Sequence, residues 1–588
     1  MIAKIITAMS ASVIRIAAWR HRQHVSPAWT VFVAVLCAVM LLPVATIVAL
    51  SLAPGISIWP HLLRTVLPAA LVDTVVLLTG VSVLVLVFGT GTAWLVTMYR
   101  FPGRAVVDRL LVLPLAVPTY IMAYCYVELL DYSGPIQSLL RSLFGWHSAR
   151  DYWFPDIRSM GGAILVLSAV LYPYVYLSAR ASFVQQSVCV LEVARTLGQT
   201  AGGTFWRVAL PLARPALAAG LALALMETLN DLGAVQYLGV NTLTASIYTT
   251  WLQRSSLGGA AQLALVALAF VLILVAVERT ARGQGQTYHT TGRYRSIPFS
   301  DLEGWRGYAA TAVCALPVLA GFVAPFAILL VQATAHVSDA LEAGFWSAVR
   351  NSISVSVIAA LTTVALGLAL AYARRVAPNR FVRFAVRGAG LGYALPGTVL
   401  ALGLLIPLAG LDNAIDAWLR AAFGLHPGLL LSGSLFVVVL AYVIRFLAVS
   451  LSALEAGFER LSPNLDAAAR TLGETALSAL WRVHMPLLIP TLGAAALLVF
   501  VDAMKELPAT ILLRPFNFET LATHVYAYAG LEMFENATLG ALTIVLIGLV
   551  PVLLLHQAVA GGRAGAGFAS GWMRRARTRF DALTARRL

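Results

Sequence analysis

The chain has 588 residues, 60% of them hydrophobic and only 11% charged, with a mean hydropathy of +0.83. So few charges cannot coat a water-soluble protein of this size, which excludes a soluble enzyme and points to an all-α polytopic membrane protein. The formal net charge of +15 comes largely from arginines gathered in alternate connections between apolar runs, the positive-inside pattern, so it reports orientation in a bilayer and not a nucleic-acid partner.

Apolar runs long enough to span a bilayer divide the chain in order. Residues 1–28 form a basic N-terminal segment expected in the cytoplasm, and the run from about Trp29 to Leu52 is too long for the core of a cleaved signal peptide, so it reads as a retained first anchor. A first half over 29–279 holds six spans, near 29–52, 70–99, 105–130, 160–180, 212–232 and 259–279. A polar linker over 280–308, rich in Gly, Thr, Arg and Tyr, then joins it to a second half over 309–560. The second half repeats the layout near 309–335, 346–374, 387–411, 429–450, 486–507 and 537–560, and a basic tail over 561–588 closes the chain. Twelve spans put both termini in the cytoplasm, and an even number in each half makes the halves parallel repeats about an axis along the membrane normal. The aromatic stretches Asp131–Ser159 and Leu507–Asn536 are expected as outward-facing loops, interfacial or partner-contacting.

The most informative feature lies between the fourth and fifth span of each half. Residues 191–217 (LEVARTLGQTAGGTFWRVALPLARPAL) and 466–492 (DAAARTLGETALSALWRVHMPLLIPTL) align without a gap and share Ala194/Ala469, Arg195/Arg470, Thr196/Thr471, Leu197/Leu472, Gly198/Gly473, Trp206/Trp481, Arg207/Arg482, Val208/Val483, Pro211/Pro486 and Pro215/Pro490. Helix formers precede each glycine, where the backbone can turn, a second short helix carries the Trp-Arg pair, and Pro211 or Pro486 opens the next span. Each copy is therefore predicted as helix, turn, helix at the membrane surface.

Continuing the same alignment, Glu227 falls over Asp502 and Asp231 over Glu506, so each half carries two acids four residues apart on one helix face. Ionisable groups within a span cost roughly 2.5–3.5 kcal/mol each at its centre. Such acids either line a water-filled cation path or close helix ends and pair locally. The four cysteines, Cys37, Cys125, Cys189 and Cys314, show no ligand spacing and read as packing residues, and His61, His147, His426 and His524 read as solvated or interfacial. The only lysines are Lys4 and Lys505, neither preceded by glycine, so no P-loop is present and energy must come from a partner or an ion gradient.

The repeated loop resembles the EAA loop of binding-protein-dependent ABC importer permeases: Glu-Ala-Ala, three residues, Gly, then Leu-Pro or Met-Pro. The first copy matches at Glu192, Ala194, Gly198 and Leu210-Pro211 and departs at Val193; in the second, Ala467 stands at the acid position and Asp466 lies one residue earlier. The resemblance implies the type I importer permease fold. It also implies that the loops dock on two copies of a cytoplasmic ABC ATPase subunit, through Glu192, Ala194, Arg195, Gly198, Arg207 and Pro211 in the first and Asp466, Ala469, Arg470, Gly473, Arg482 and Pro486 in the second. ATP and Mg²⁺ would belong to that partner, this chain holding no cofactor and no resident metal. A periplasmic binding protein would deliver the cargo, in the inner membrane of a bacterium.

Asn230-Asp231-Leu232-Gly233-Ala234-Val235-Gln236-Tyr237, Lys505-Glu506-Leu507-Pro508-Ala509-Thr510 and Tyr393-Ala394-Leu395-Pro396-Gly397-Thr398 are similar to stretches of ferric-iron importer permeases, and the fused two-half layout is similar as well. Hard Fe³⁺ prefers oxygen donors, which makes Glu227, Asp231, Tyr237, Asp502 and Glu506 candidates for transient contact along the path. The alternatives by cargo are thiamine, a polyamine or another small solute; by class, an ion-coupled secondary transporter. A membrane enzyme finds little support, since no metal cluster and no nucleophile with a base beside it is visible.

Overall fold

The computed structural model describes residues 27–53, 58–186, 194, 196–282, 300–336, 343–377, 379–459, 461–462 and 464–560. The N-terminal segment, most of the linker, the basic tail, Cys189 and the loop residues Glu192 and Arg195 lie outside them. In chain order the helices are α1 (Pro27–Ser51), α2 (Trp59–Met98), α3 (Arg104–Leu110), α4 (Thr119–Leu130), α5 (Pro135–Phe144), α6 (Met160–Gln185), α7 (Gly202–Asn230), α8 (Gly233–Tyr237), α9 (Leu243–Leu252) and α10 (Leu257–Arg282). There follow α11 (Trp305–Ala335), α12 (Ala343–Val376), α13 (Arg380–Ala389), α14 (Gly397–Phe423), α15 (Leu435–Glu459), α16 (Asn464–Thr471), α17 (Ala476–Met504), α18 (Pro508–Leu513), α19 (Leu521–Gly530) and α20 (Phe534–Ala560). Among the described residues eleven helices are long and apolar enough to cross a bilayer; the pair Arg104–Ala116 and Thr119–Phe144, bent by 99°, makes twelve when taken as one broken span. The protein is thus an all-α polytopic membrane protein.

Four of these helices widen into a single π turn, and each turn ends immediately before an Xaa-Pro pair. They are Leu62–Val66 ahead of Leu67-Pro68, Phe205–Ala209 ahead of Leu210-Pro211, Leu319–Val323 ahead of Ala324-Pro325 and Leu480–His484 ahead of Met485-Pro486. A proline inside a helix donates no hydrogen bond and drives its ring against the carbonyl four residues back. One wide turn relieves that clash: the amide of Leu210 reaches back five residues to the Phe205 carbonyl, and Met485 does the same to Leu480. The Leu-Pro and Met-Pro of the repeated loop therefore each set a wide turn that contains the Trp-Arg pair.

The third span departs from the uninterrupted run expected over 105–130. α3 ends at Leu110, a 3₁₀ turn covers Leu113–Ala116, and Pro118 with extended backbone starts α4 in a new direction. Pro114 and Pro118 remove donors and bias the preceding residues away from helix. The ninth span, expected over 387–411, is likewise displaced: α13 buries Val382, Ala385 and Val386 and exposes Phe381 and Phe384 in the manner of an interfacial helix, and the span itself is α14, beginning after Pro396.

The stretch Leu507–Asn536 is not the interfacial loop the sequence suggested. Its helices α18 and α19 bury Ala509, Thr510, Leu513, Leu521, Thr523 and Val525, and His524 is buried with its ring against Tyr528. Residues 232–252 hold the counterpart pair α8 and α9, also buried. By contrast α5, within 131–159, leaves Leu139, Leu143 and Phe144 exposed.

Two compact units compose the chain. One takes α1 up to Ala45, Val357–Tyr393 and Val439–Phe500; the other takes Thr46–Ser356, Ala394–Val438 and Val501 onward. In the larger unit α2 and α6 pack closely because Gly89 has no side chain: a Cβ there would lie 2.7 Å from Val175 Cβ and 2.9 Å from the Tyr176 amide nitrogen. The same unit holds a two-residue parallel pairing of Tyr99–Arg100 with Ser300–Asp301, which ties the end of the linker to the first half. In the smaller unit Gly367 meets Ser450 and Gly457 meets Leu488 in the same way.

Candidate functional site

Both repeat loops turn at their glycine. Gly198 has φ +80° and Gly473 φ +81°, left-handed values that favour glycine, and no heavy atom stands within 4 Å of where a Cβ would be. The amide of Gln199 bonds the Ala194 carbonyl at 3.0 Å and that of Glu474 bonds Ala469 at 3.0 Å, the six-residue closure of a Schellman helix end. Thr200 and Thr475 then start the next helix, their hydroxyls accepting from Gly203 N at 3.1 Å and Ser478 N at 3.2 Å. These two caps were not singled out from the sequence, although the identical threonine at both positions was the available signal.

The outward faces of the two copies also match. Ala194 and Ala469 are buried, while Leu197 and Leu472 are 76% and 82% exposed and Trp206 and Trp481 are 68% and 59% exposed. Arg207 reaches Gln199 Oε1 at 3.5 Å, and Arg482 reaches Glu474 Oε1 at 2.9 Å. Glu474 is held below the usual carboxylate range first by the Ser478 hydroxyl and then by Arg482. Pro211 and Pro486 sit two residues beyond the ends of the π turns. Large apolar side chains at equivalent, exposed positions beside arginines make each loop a ready contact surface. Arg470 is exposed, with its Nε 3.2 Å from the Asp466 carbonyl; the Asp466 side chain is half-buried and turned inward.

The membrane acids separate into two kinds. Asp231 is buried and caps α8: its Oδ1 accepts from Ala234 N at 2.8 Å and Val235 N at 3.2 Å, and its Oδ2 accepts from the Thr119 hydroxyl. Glu506 is buried and caps α18 in the same way, accepting from Ala509 N and Thr510 N at 3.0 Å each and from the Thr510 hydroxyl at 2.6 Å. A carboxylate at a helix N-terminus satisfies orphan amides and complements the helix dipole. Asp502 pairs with Lys505, Oδ1 to Nζ 2.9 Å, and Glu227 lies within electrostatic reach of the same ammonium.

Around the two caps lies a group of phenols. Gly233 closes on Tyr120 and Leu507, which brings α4, α8 and the start of α18 together. Tyr120 and Tyr124 have ring centroids 6.0 Å apart, Tyr124 meets Tyr237 at 4.5 Å edge to face, and Tyr526 donates to Gln236 Oε1 at 2.7 Å. Arg158 covers the Tyr237 ring at 5.0 Å. The Tyr120 and Tyr124 hydroxyls and the Asn230 amide are buried without a hydrogen-bond partner. Of this group only Tyr237 was selected from the sequence. Tyr120, Tyr124 and Tyr526 belong to segments far apart in the chain and carry no local motif. The arrangement offers neutral and anionic oxygens, which suit a cation better than an oxyanion. Among the described residues no three His, Cys, Asp or Glu side chains form a metal-binding group.

Residues 86–280 match the family described as binding-protein-dependent transport system inner membrane component. The chain is 26% identical over 500 residues to an Fe(3+)-transport system permease protein of Haemophilus influenzae, covering 84% of this chain and 91% of the relative. It is 23% identical over 455 residues to a ferric transport system permease protein of Actinobacillus pleuropneumoniae, covering 74% and 63%. A sulfate transport system permease protein of Salmonella typhimurium is 29% identical over 248 residues, covering 41% of this chain and 85% of the relative.

Proposed function

We propose that the chain is a permease of the binding-protein-dependent ABC importer type, an inner-membrane transport component resembling ferric permeases, and that its cargo is ferric iron. The observation that carries the reading is the length of the likeness: the Fe(3+)-transport relative in Haemophilus influenzae aligns with 84% of this chain, through both halves, whereas the sulfate relative aligns with 41%. The buried, unpartnered hydroxyls of Tyr120 and Tyr124 support it chemically, because Fe³⁺ takes hard oxygen donors, and the nearby carboxylates of Asp231 and Glu506, engaged as caps, supply negative charge that disfavours an oxyanion.

In this reading a periplasmic binding protein releases iron at the outer mouth, and two copies of an ATPase, carrying ATP and Mg²⁺, dock on the loops at Leu197–Trp206 and Leu472–Trp481. Closure of the ATPases pulls the loops. The helix turns at Gly198 and Gly473 and the proline-set wide turns at Pro211 and Pro486 pass that displacement into α7 and α17, which carry Glu227 and Asp502 and end just before the capping acids Asp231 and Glu506. Both termini lie in the cytoplasm, and this chain itself performs no hydrolysis. The test is competition: in proteoliposomes with the ATPase and binding protein, labelled Fe³⁺ uptake should resist excess sulfate, thiamine and spermidine. Uptake of any of these in place of iron would keep the importer and discard the cargo.

A further inference from the structure

The two loops are alike on their exposed faces, and the described residues beneath them differ in sequence. Beneath the first, Trp94 packs against Phe183 at 5.3 Å and Phe205 at 5.0 Å, and the residues aligned with Asp466 and His484 are Leu191 and Ala209. Beneath the second there is a charged clamp. Arg375, in the last turn of α12, places Nε 2.8 Å and Nη2 2.7 Å from Asp466 Oδ2 on α16. The same guanidinium donates to the carbonyls of Phe458 at 2.8 Å and of Leu461 and Ser462 at 3.2 Å each, gathering the end of α15. The other oxygen of Asp466 meets His484 Nε2 at 2.7 Å. His484 closes the π turn of α17, is fully buried, and packs against the rings of Tyr372 and Phe458, each centroid 5.7 Å away.

The Asp466–Arg375 pair therefore joins α12, α15, α16 and α17, and both oxygens of the carboxylate are engaged within the protein. An acid so employed is not available to a partner, and a buried ion pair with further hydrogen bonds fixes geometry more than it adds stability. We propose that Asp466 is a positioning residue: held by Arg375 and His484, it locks the second loop to the bundle, so that this loop transmits force through a charged clamp. The partner then meets the second loop through its exposed Leu472, Trp481 and Arg482 and not through the acid. The inference rests on the loops being the ATPase docking points, and it does not depend on which cargo is carried.

The experiment compares wild type, Asp466→Asn, Asp466→Glu and His484→Ala in proteoliposomes with the full importer, using labelled Fe³⁺ as probe. Three quantities are read: ATPase affinity for the permease, ATP hydrolysed, and iron moved per ATP. Asp466→Asn should bind the ATPase as wild type does and still support hydrolysis, while iron moved per ATP falls roughly tenfold, within the range of ordinary coupling energies. His484→Ala should fall in the same direction, and Asp466→Glu, which keeps the charge, should recover most of the ratio. Weakened ATPase affinity with an unchanged ratio in Asp466→Asn would make Asp466 a docking contact and overturn the proposal, as would a ratio unchanged in both Asp466→Asn and His484→Ala. Wild-type hydrolysis that binding protein does not stimulate would instead remove the docking premise, a failure visible before any variant is compared.

Discussion

Glu506 gives the sharpest test of how the path is built, because capping and charge can be separated at one position. Glu506→Ala removes three hydrogen bonds and leaves the amides of Ala509 and Thr510 buried without acceptors. Each stranded amide costs about 1–3 kcal/mol, against which the relief of not burying a carboxylate is set. Lost caps fall at about 0.5–2 kcal/mol in more exposed settings. A net loss of about 2–4 kcal/mol is expected, read as a shift in the unfolding midpoint in mixed SDS–detergent micelles. Glu506→Gln keeps one acceptor oxygen and loses only the charge, so it should lose about half as much. A Glu506→Ala protein within about 0.5 kcal/mol of wild type would refute the capping argument. If the carboxylate also meets cargo, Glu506→Gln should impair iron uptake well beyond its modest effect on stability.

Other predictions rest on separate features. Replacing Gly198 or Gly473 by Val meets no neighbouring atom but forces a left-handed backbone, costing roughly 1–2 kcal/mol locally and lowering ATPase-coupled uptake; cross-linking yield between loop and ATPase reads it. Pro211→Ala or Pro486→Ala removes the reason for the wide turn, so the helix should tighten and rotate Trp206 or Trp481 about the axis. Uptake should fall while helix content by circular dichroism does not. Asp412, buried in α14, accepts from the amides of Leu430, Leu431 and Ser432 at 3.1, 2.8 and 2.7 Å; Asp412→Ala should cost about 3 kcal/mol or more in the same unfolding assay. In the 147–151 turn, the amides of His147 and Ser148 hold the Asp151 carboxyl below its usual value. A depressed acid stabilises above its unfolded value and loses that contribution as pH falls through the folded one. Amide exchange at 147 and 148 should therefore quicken, relative to its intrinsic rate, only in acid below the ordinary aspartate range, and Asp151→Asn should show no such step.

Much of the architecture was legible because it is written locally. Glycine after a short helical run and proline opening the next span are signals of backbone geometry, and repeated at the same spacing they located both loops; the threonine two residues after each glycine carried the same signal and went unread. Asp231 and Glu506 were visible as acids in apolar surroundings, and the possibility that such acids close helix ends was readable from their position. The sequence did not show that α8 and α18 are separate helices needing caps, since five or six residues leave no periodicity. Three consecutive features, Pro114, the 3₁₀ turn and Pro118, break the third span, but the apolar run is continuous in composition and hides the bend. Leu507–Asn536 looked like an aromatic surface loop because hydropathy does not distinguish a lipid interface from a protein interior. The clamp at Asp466 required Arg375 and His484, 91 and 18 residues away, and no local pattern connects them.

The most direct test of the account is iron uptake by the reconstituted importer, wild type beside a double variant with bulky residues at Gly198 and Gly473, with and without ATP and an uncoupler. The account predicts uptake that requires ATP, ignores the uncoupler and is lost in the double variant. Uptake indifferent to ATP and abolished by the uncoupler would contradict it and place the chain among ion-coupled transporters.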